Sequence, residues 1–198
     1  MIKTPRFLFP AAFTLTMLTA WALPAGETVL QIDPAQTHVA FELGSLLHTV
    51  HGAFQLKRGG LRFDPANGAA SGELVVDARS GESGSAARDR KMHKEILESE
   101  RFPEIVFRPH RVEGAVEPQG TSHVAIHGTF SIHGGEHEMS VPADVQAAAG
   151  QYAVTAHFDV PYQKWGMKNP STFVLRVNDN VEITVHTIAH TFREVSRN

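Results

Sequence analysis

An alternation of apolar and polar residues returns along the chain from Thr28 to about Ala189. It runs through His38-Val39-Ala40-Phe41-Glu42-Leu43, through His123 to Ile132, and without a break through Val181-Glu182-Ile183-Thr184-Val185-His186. A period of two turns one face of a strand toward an apolar interior and the other toward water. Many such strands separated by turn residues mean an all-β sandwich or a closed barrel. In the last segment the pattern puts Val181, Ile183 and Val185 inside and Glu182 and Thr184 outside, with β-branched residues that suit a strand.

Strands are predicted at 28–32, 37–43, 50–63, 71–78, 104–113, 123–133, 137–146, 151–160 and 172–189. The third changes phase. Val50, Gly52, Phe54 and Leu56 share one parity, Leu61 and Phe63 the other, and a one-residue bulge at Gly59-Gly60 would return both sets to one face. Asp64-Pro65-Ala66-Asn67-Gly68 reads as a turn, and Gly134-Gly135 as a tight hairpin. One helix is predicted over 86–99, with Ser85 as N-cap, Asp89 at the positive end of the dipole, and Met92 and Ile96 on one apolar face. Phe102-Pro103 ends it.

The N-terminus has its own pattern. Lys3 and Arg6 precede a mostly apolar run from Phe7 to Thr19, and Ala20-Trp21-Ala22 offers a small-x-small cleavage site. The run is short for a membrane span, so residues 1–22 read as a signal peptide, 23–192 as one domain and 193–198 as a loose tail. The mature chain is expected in the periplasm or outside the cell. It has no cysteine, which excludes disulfides and thiolate chemistry and leaves a core to hold the fold. Without Lys3 and Arg6, 16 basic residues face 21 acidic ones, a formal net charge of −5 with no basic stripe. Nucleic acid is therefore not an expected partner.

Four segments in order make the chain resemble the YceI-like family of bacterial polyisoprenoid-binding periplasmic proteins. They are Ile32-Asp33-Pro34 through Phe41; Val50-His51-Gly52-Ala53-Phe54 with Leu61-Arg62-Phe63-Asp64; Arg88-Asp89 followed by Phe102-Pro103-Glu104-Ile105-Val106-Phe107; and Ile126 through Gly134. The resemblance implies an extended lipocalin-like antiparallel β-barrel of about eight strands with one helix between strands. It also implies an isoprenoid or other long-chain amphiphile, such as a quinone or polyprenyl lipid, in the lumen. Two places depart from the family pattern. This chain reads Tyr162-Gln163-Lys164-Trp165-Gly166 where an arginine and aspartate usually precede Phe-Gly. It reads Arg90-Lys91-Met92-His93 where a histidine often follows Arg-Asp. Both affect polar positions, and neither affects the apolar container.

The candidate lumen residues are Val39, Phe41, Phe54, Phe63, Ile105, Phe107, Phe130, Phe158 and Phe173, all on apolar faces. Arg88, Tyr162 and Trp165 are candidate head-group contacts. No catalytic residue is proposed. Gly81-Glu82-Ser83-Gly84-Ser85 lacks the closing glycine and the strand-turn-helix setting of a nucleophile elbow. The alternative reading is a redox accessory protein that binds haem or metal through its histidines. A metal needs three or four converging ligands, and His123, His127 and His133 are expected to face solvent. The reading these features favour is a lipid carrier or reservoir with no cofactor, making at most transient contact with a membrane or a membrane-embedded redox protein.

Overall fold

The computed structural model describes residues 26–45, 48–171 and 176–191. Nine strands follow one another: β1 (Thr28–Ile32), β2 (His38–Gly44), β3 (Thr49–Phe63), β4 (Ala70–Glu82), β5 (Glu104–Glu113), β6 (Gly120–Ile132), β7 (Gly135–Ala148), β8 (Gln151–Val160) and β9 (Val181–Thr191). Helix α1 (Ala86–Lys91) follows β4 and widens into a π-turn over Met92–Ile96. Every pairing is antiparallel, in the order β3-β2-β9-β8-β7-β6-β5-β4, and β4 pairs back onto β3 to close the ring. Closure leaves no free edge.

The ninth strand adds no stave. β1 and β2 both pair with β3 and β9, β1 against Gly59–Phe63 and β2 against Thr49–Phe54. They form one long stave broken by a 3-10 turn at Pro34–Gln36. Asp33 caps that turn through Ala35 N–H and Gln36 Nε2, and these donors hold its carboxyl below the usual range.

The phase change in β3 is real, but it sits earlier than the glycine pair. Gly59 and Gly60 pair regularly with both neighbours. The register shifts between Leu56↔Val76 and Arg58↔Val75, which leaves Lys57 as the extra residue. Gly59 instead makes room for Ile32, whose Cβ lies 3.0 Å from where a Cβ on Gly59 would stand. The β6–β7 turn also moves by one residue. Its central residues are His133 and Gly134, both at positive φ (51° and 76°), as a two-residue hairpin with the right twist requires.

Several predicted boundaries change, among them those of β6, which starts at Gly120, and of β7, which runs over Gly135–Ala148. β4 extends to Glu82, because a second irregularity opposite Ala53 and Gln55 lets it continue beyond Ala78. The helix ends at Ile96, and Glu98 takes φ 46°, which turns the chain toward β5. β9 begins only at Val181. Residues 176–180 hold a single bridge, Ser45↔Val177, and Phe173 lies outside the described residues.

Candidate functional site

The inward parity of the strands does not fill the barrel. A cavity of about 1030 Å³ runs through it, at the upper end of small-molecule sites. On β3 its wall extends from Val50 to Phe63. At about 3.3 Å per residue and a tilt near 40°, with one residue taken up by the bulge, that is a lumen roughly 30 Å long. Its two ends follow from the topology. The far end carries Thr28, Phe63, Pro65, Val116 and Pro118. The near end carries His48, Ser83, Ser85, Arg88, Lys91 and Tyr162 under α1.

Val39, Phe41, Phe54, Phe63, Ile105, Phe107, Phe130 and Phe158 all stand on this wall. So do Val181, Ile183 and Val185, while Glu182 points to solvent. The phenylalanines lean on glycines across the strands. Phe41 crosses Gly52, where a Cβ would meet its ring at 2.2 Å, and Phe54 covers Gly81 at 2.4 Å. The rings of Phe41 and Phe54 pack 5.3 Å apart. Thr187 is the polar residue of the β9 wall, and its hydroxyl is held by Thr37 Oγ1 at 2.6 Å. The wall therefore presents hydrocarbon along its length.

The near end is closed by α1 and the segment after β8. Tyr162 is buried and donates its hydroxyl to Asn178 O at 2.7 Å. Burial, with Asp179 nearby, pushes its phenol up to about 12. Trp165 departs from its predicted place. It is not on the cavity wall; its ring lies flat on His137, 4.0 Å between centroids, and against Phe130. Desolvation lowers the His137 pKa, and its buried Nε2 has no partner among the described residues.

Arg88 does stand on the wall, and it also lashes the helix to the barrel, as does Asp89. Arg88 Nε and Nη2 donate to Ser83 Oγ and O at 2.7 Å, and Asp89 accepts from the Ser83 amide and hydroxyl. This binds Ser83 as a structural tie. Ser85 is the N-cap position but makes no side-chain cap. His93 adds a second tie. Its Nε2 donates to Gly81 O at 2.8 Å, so Nδ1 is left to accept from Ser99 Oγ.

Among the described residues no three His, Asp or Glu side chains converge as metal ligands. The outward histidines meet one or two side chains each: His123 with Asp144, His127 with Glu113, His110 with Glu138, and His157 with Thr184 and Glu182. His133 departs from the expected solvent position. It is only 20 % exposed, tilted against the Phe102 ring with Nε2 3.3 Å from Glu98.

Lys91, Met92 and Ile96 also line the near end. Helical spacing pairs Met92 with Ile96 but does not single out Lys91. Arg88, Lys91, Met92 and Ile96 share one helical stripe, but only the barrel end places that stripe over the lumen.

The geometry has counterparts among known proteins. The YceI-like domain model matches residues 30–189. BcnA of Burkholderia cenocepacia is similar in fold, with a TM-score of 0.65 at 18% identity over 79% of this chain and 98% of that one. A polyisoprenoid-binding domain from Saccharophagus degradans, implicated in plant cell wall breakdown, superposes with a TM-score of 0.64 at 13% identity, covering 82% of this chain and 98% of that one. The Campylobacter jejuni YceI protein gives 0.55 at 10% identity over 94% of each chain. No curated protein matches the sequence.

Proposed function

This chain belongs to the YceI-like family, and from that premise we propose that it is an exported carrier or reservoir for a polyisoprenoid or similar long-chain amphiphile. The observation that carries the reading is the continuous apolar cavity of about 1030 Å³. A lumen roughly 30 Å long matches the hydrocarbon thickness of a whole bilayer, so a single-leaflet acyl tail would occupy only about half of it. Long prenyl chains suit it better. Each Å² of tail taken from water contributes roughly 25 cal/mol, offset by the cost of immobilising the ligand. The polyisoprenoid binding of the Saccharophagus domain supports the same cargo class.

Function here means uptake, shielding and release through the ends of the barrel, with no catalytic step. We place the mature protein in the periplasm or outside the cell on the strength of residues 1–22, which lie outside the described residues. N-terminal sequencing of protein released by osmotic shock should begin near Leu23; an intact Met1 on membrane-bound material would overturn export. The reading itself is tested by mass spectrometry of an organic extract from freshly purified protein. A stoichiometric prenyl lipid supports it, and an empty extract with no uptake of added lipid rejects it. No convergence of histidines favours the haem or metal alternative among the described residues.

A further inference from the structure

The ionisable side chains on the cavity wall are His48, Arg62, Arg88, Lys91 and the phenols of Tyr152 and Tyr162; among the described residues no aspartate or glutamate lines it. Of the three lining cations, Arg62 at the far end faces a carboxylate, and the two at the near end do not. Lys57, Arg58, Arg62, Arg101 and Arg108 each lie within ion-pair distance of a carboxylate. Arg88 and Lys91 appear in no ion pair among the described residues. Arg88 spends two donors on the neutral Ser83 oxygens, and Lys91 Nζ donates to the carbonyl of Pro170 at 3.2 Å. Asp89, the acid between them in sequence, is turned onto Ser83. Three residues apart on a helix, the two side chains share a face with Met92, which borders the same cavity.

Arg88 is exposed and Lys91 half-buried at the rim of the lumen, both answered only by neutral acceptors, so an anion that arrives with an apolar tail gains charge-assisted hydrogen bonds from them. We propose that Arg88 and Lys91 form the head-group site of the lumen and select amphiphiles with an anionic head, a phosphate or a carboxylate. The tail then points toward Phe63 and Val116. The opposite orientation is disfavoured because Arg62, the cation at the far end, already faces Glu27 at 3.6 Å. This inference rests on the reading of the lumen as a lipid site.

The test uses three probes with one C20 tail: geranylgeranyl phosphate, geranylgeranoic acid and geranylgeraniol. Each is titrated into delipidated full-length mature protein at low ionic strength, against a lumen-bound fluorophore. At least one anionic probe should bind about tenfold or more tighter than the alcohol. The phosphate and acid arms show which anion is selected. In Arg88→Gln/Lys91→Gln the advantage should collapse to within about twofold while alcohol binding holds, and Arg88→Lys should keep it. Lys91→Gln alone, which leaves the Ser83 ties intact, should lose part of the advantage and guards against misfolding of the double variant. Lys94→Gln, off the lumen, should change nothing. Equal affinities for the three probes, or an advantage that survives the double substitution, overturn the head-group site and leave the lipid reading standing. Failure of all three probes to bind, together with an empty organic extract, rejects both.

Discussion

Individual phenylalanines act here as wall, and their seats are glycines. Phe54 lies between Phe41 and the bare backbone of Gly81, so its ring reaches the lumen without crowding β4. Enlarging it moves the wall inward. Phe54→Trp should weaken binding of a long chain by about tenfold or more, as extra bulk in an apolar pocket does, with a smaller effect on Tm. Phe54→Leu keeps an apolar wall and changes only its shape. Titration of a prenyl probe alongside thermal melts separates the two; unchanged lipid retention in both folded variants would make Phe54 ordinary packing. Tyr162 carries a different prediction. Its phenol is raised to about 12 in the folded protein, against about 10 when unfolded. The folded state therefore keeps a proton that the unfolded state releases. Its contribution to stability is fully present below pH 10 and is lost as the pH rises toward 12. Tyr162→Phe should be less stable than the parent at pH 8, through loss of the Asn178 hydrogen bond, and the gap should narrow by pH 11.5 in chemical denaturation.

Elements in this barrel are set by single residues at their joints. The Lys57 bulge lets one strand serve both β1 and β2 with Phe54 and Phe63 on the same face. The β7–β8 hairpin turns at Ala149 and Gly150, at φ 49° and 81°, and the alanine is exposed with no favourable reason to be left-handed. A non-glycine residue there costs about 1 kcal/mol that asparagine largely avoids. Ala149→Asn should raise Tm by roughly 2–4 °C in a chain of this size, without altering lipid binding. A fall in Tm would show that the turn is held in place by something other than its backbone preference.

At the scale of the whole molecule, closure of the sheet converts nine amphipathic strands into a container. The side chains that line the cavity have neighbours on one side only, so the empty barrel forgoes packing that a cargo restores. A ligand that binds only the folded state stabilises it by mass action. Delipidated protein should melt lower than freshly isolated protein, and adding a prenyl lipid at about 100 times its dissociation constant should recover about 2.7 kcal/mol. Differential scanning calorimetry of the two preparations reads this directly; identical melts would mean that the lumen is empty as isolated.

Much of this was legible from residues 28–189 alone. Strand positions, the inward parity of Val181, Ile183 and Val185, and the phase switch in β3 all follow from the two-residue period, because alternation is a local consequence of backbone geometry. The same period could not say whether the phenylalanines meet in a filled core or surround a space, since both demand the same pattern; the ring of strands decided that. Nor could it place the bulge, which depends on how β3 pairs with β4. It also could not turn Trp165 onto His137, a contact between residues far apart in sequence. Lys91 was hidden for a related reason. A lysine on a helix reads as solvated surface until the barrel end is in place, and only there does it stand over hydrocarbon with a carbonyl for its partner.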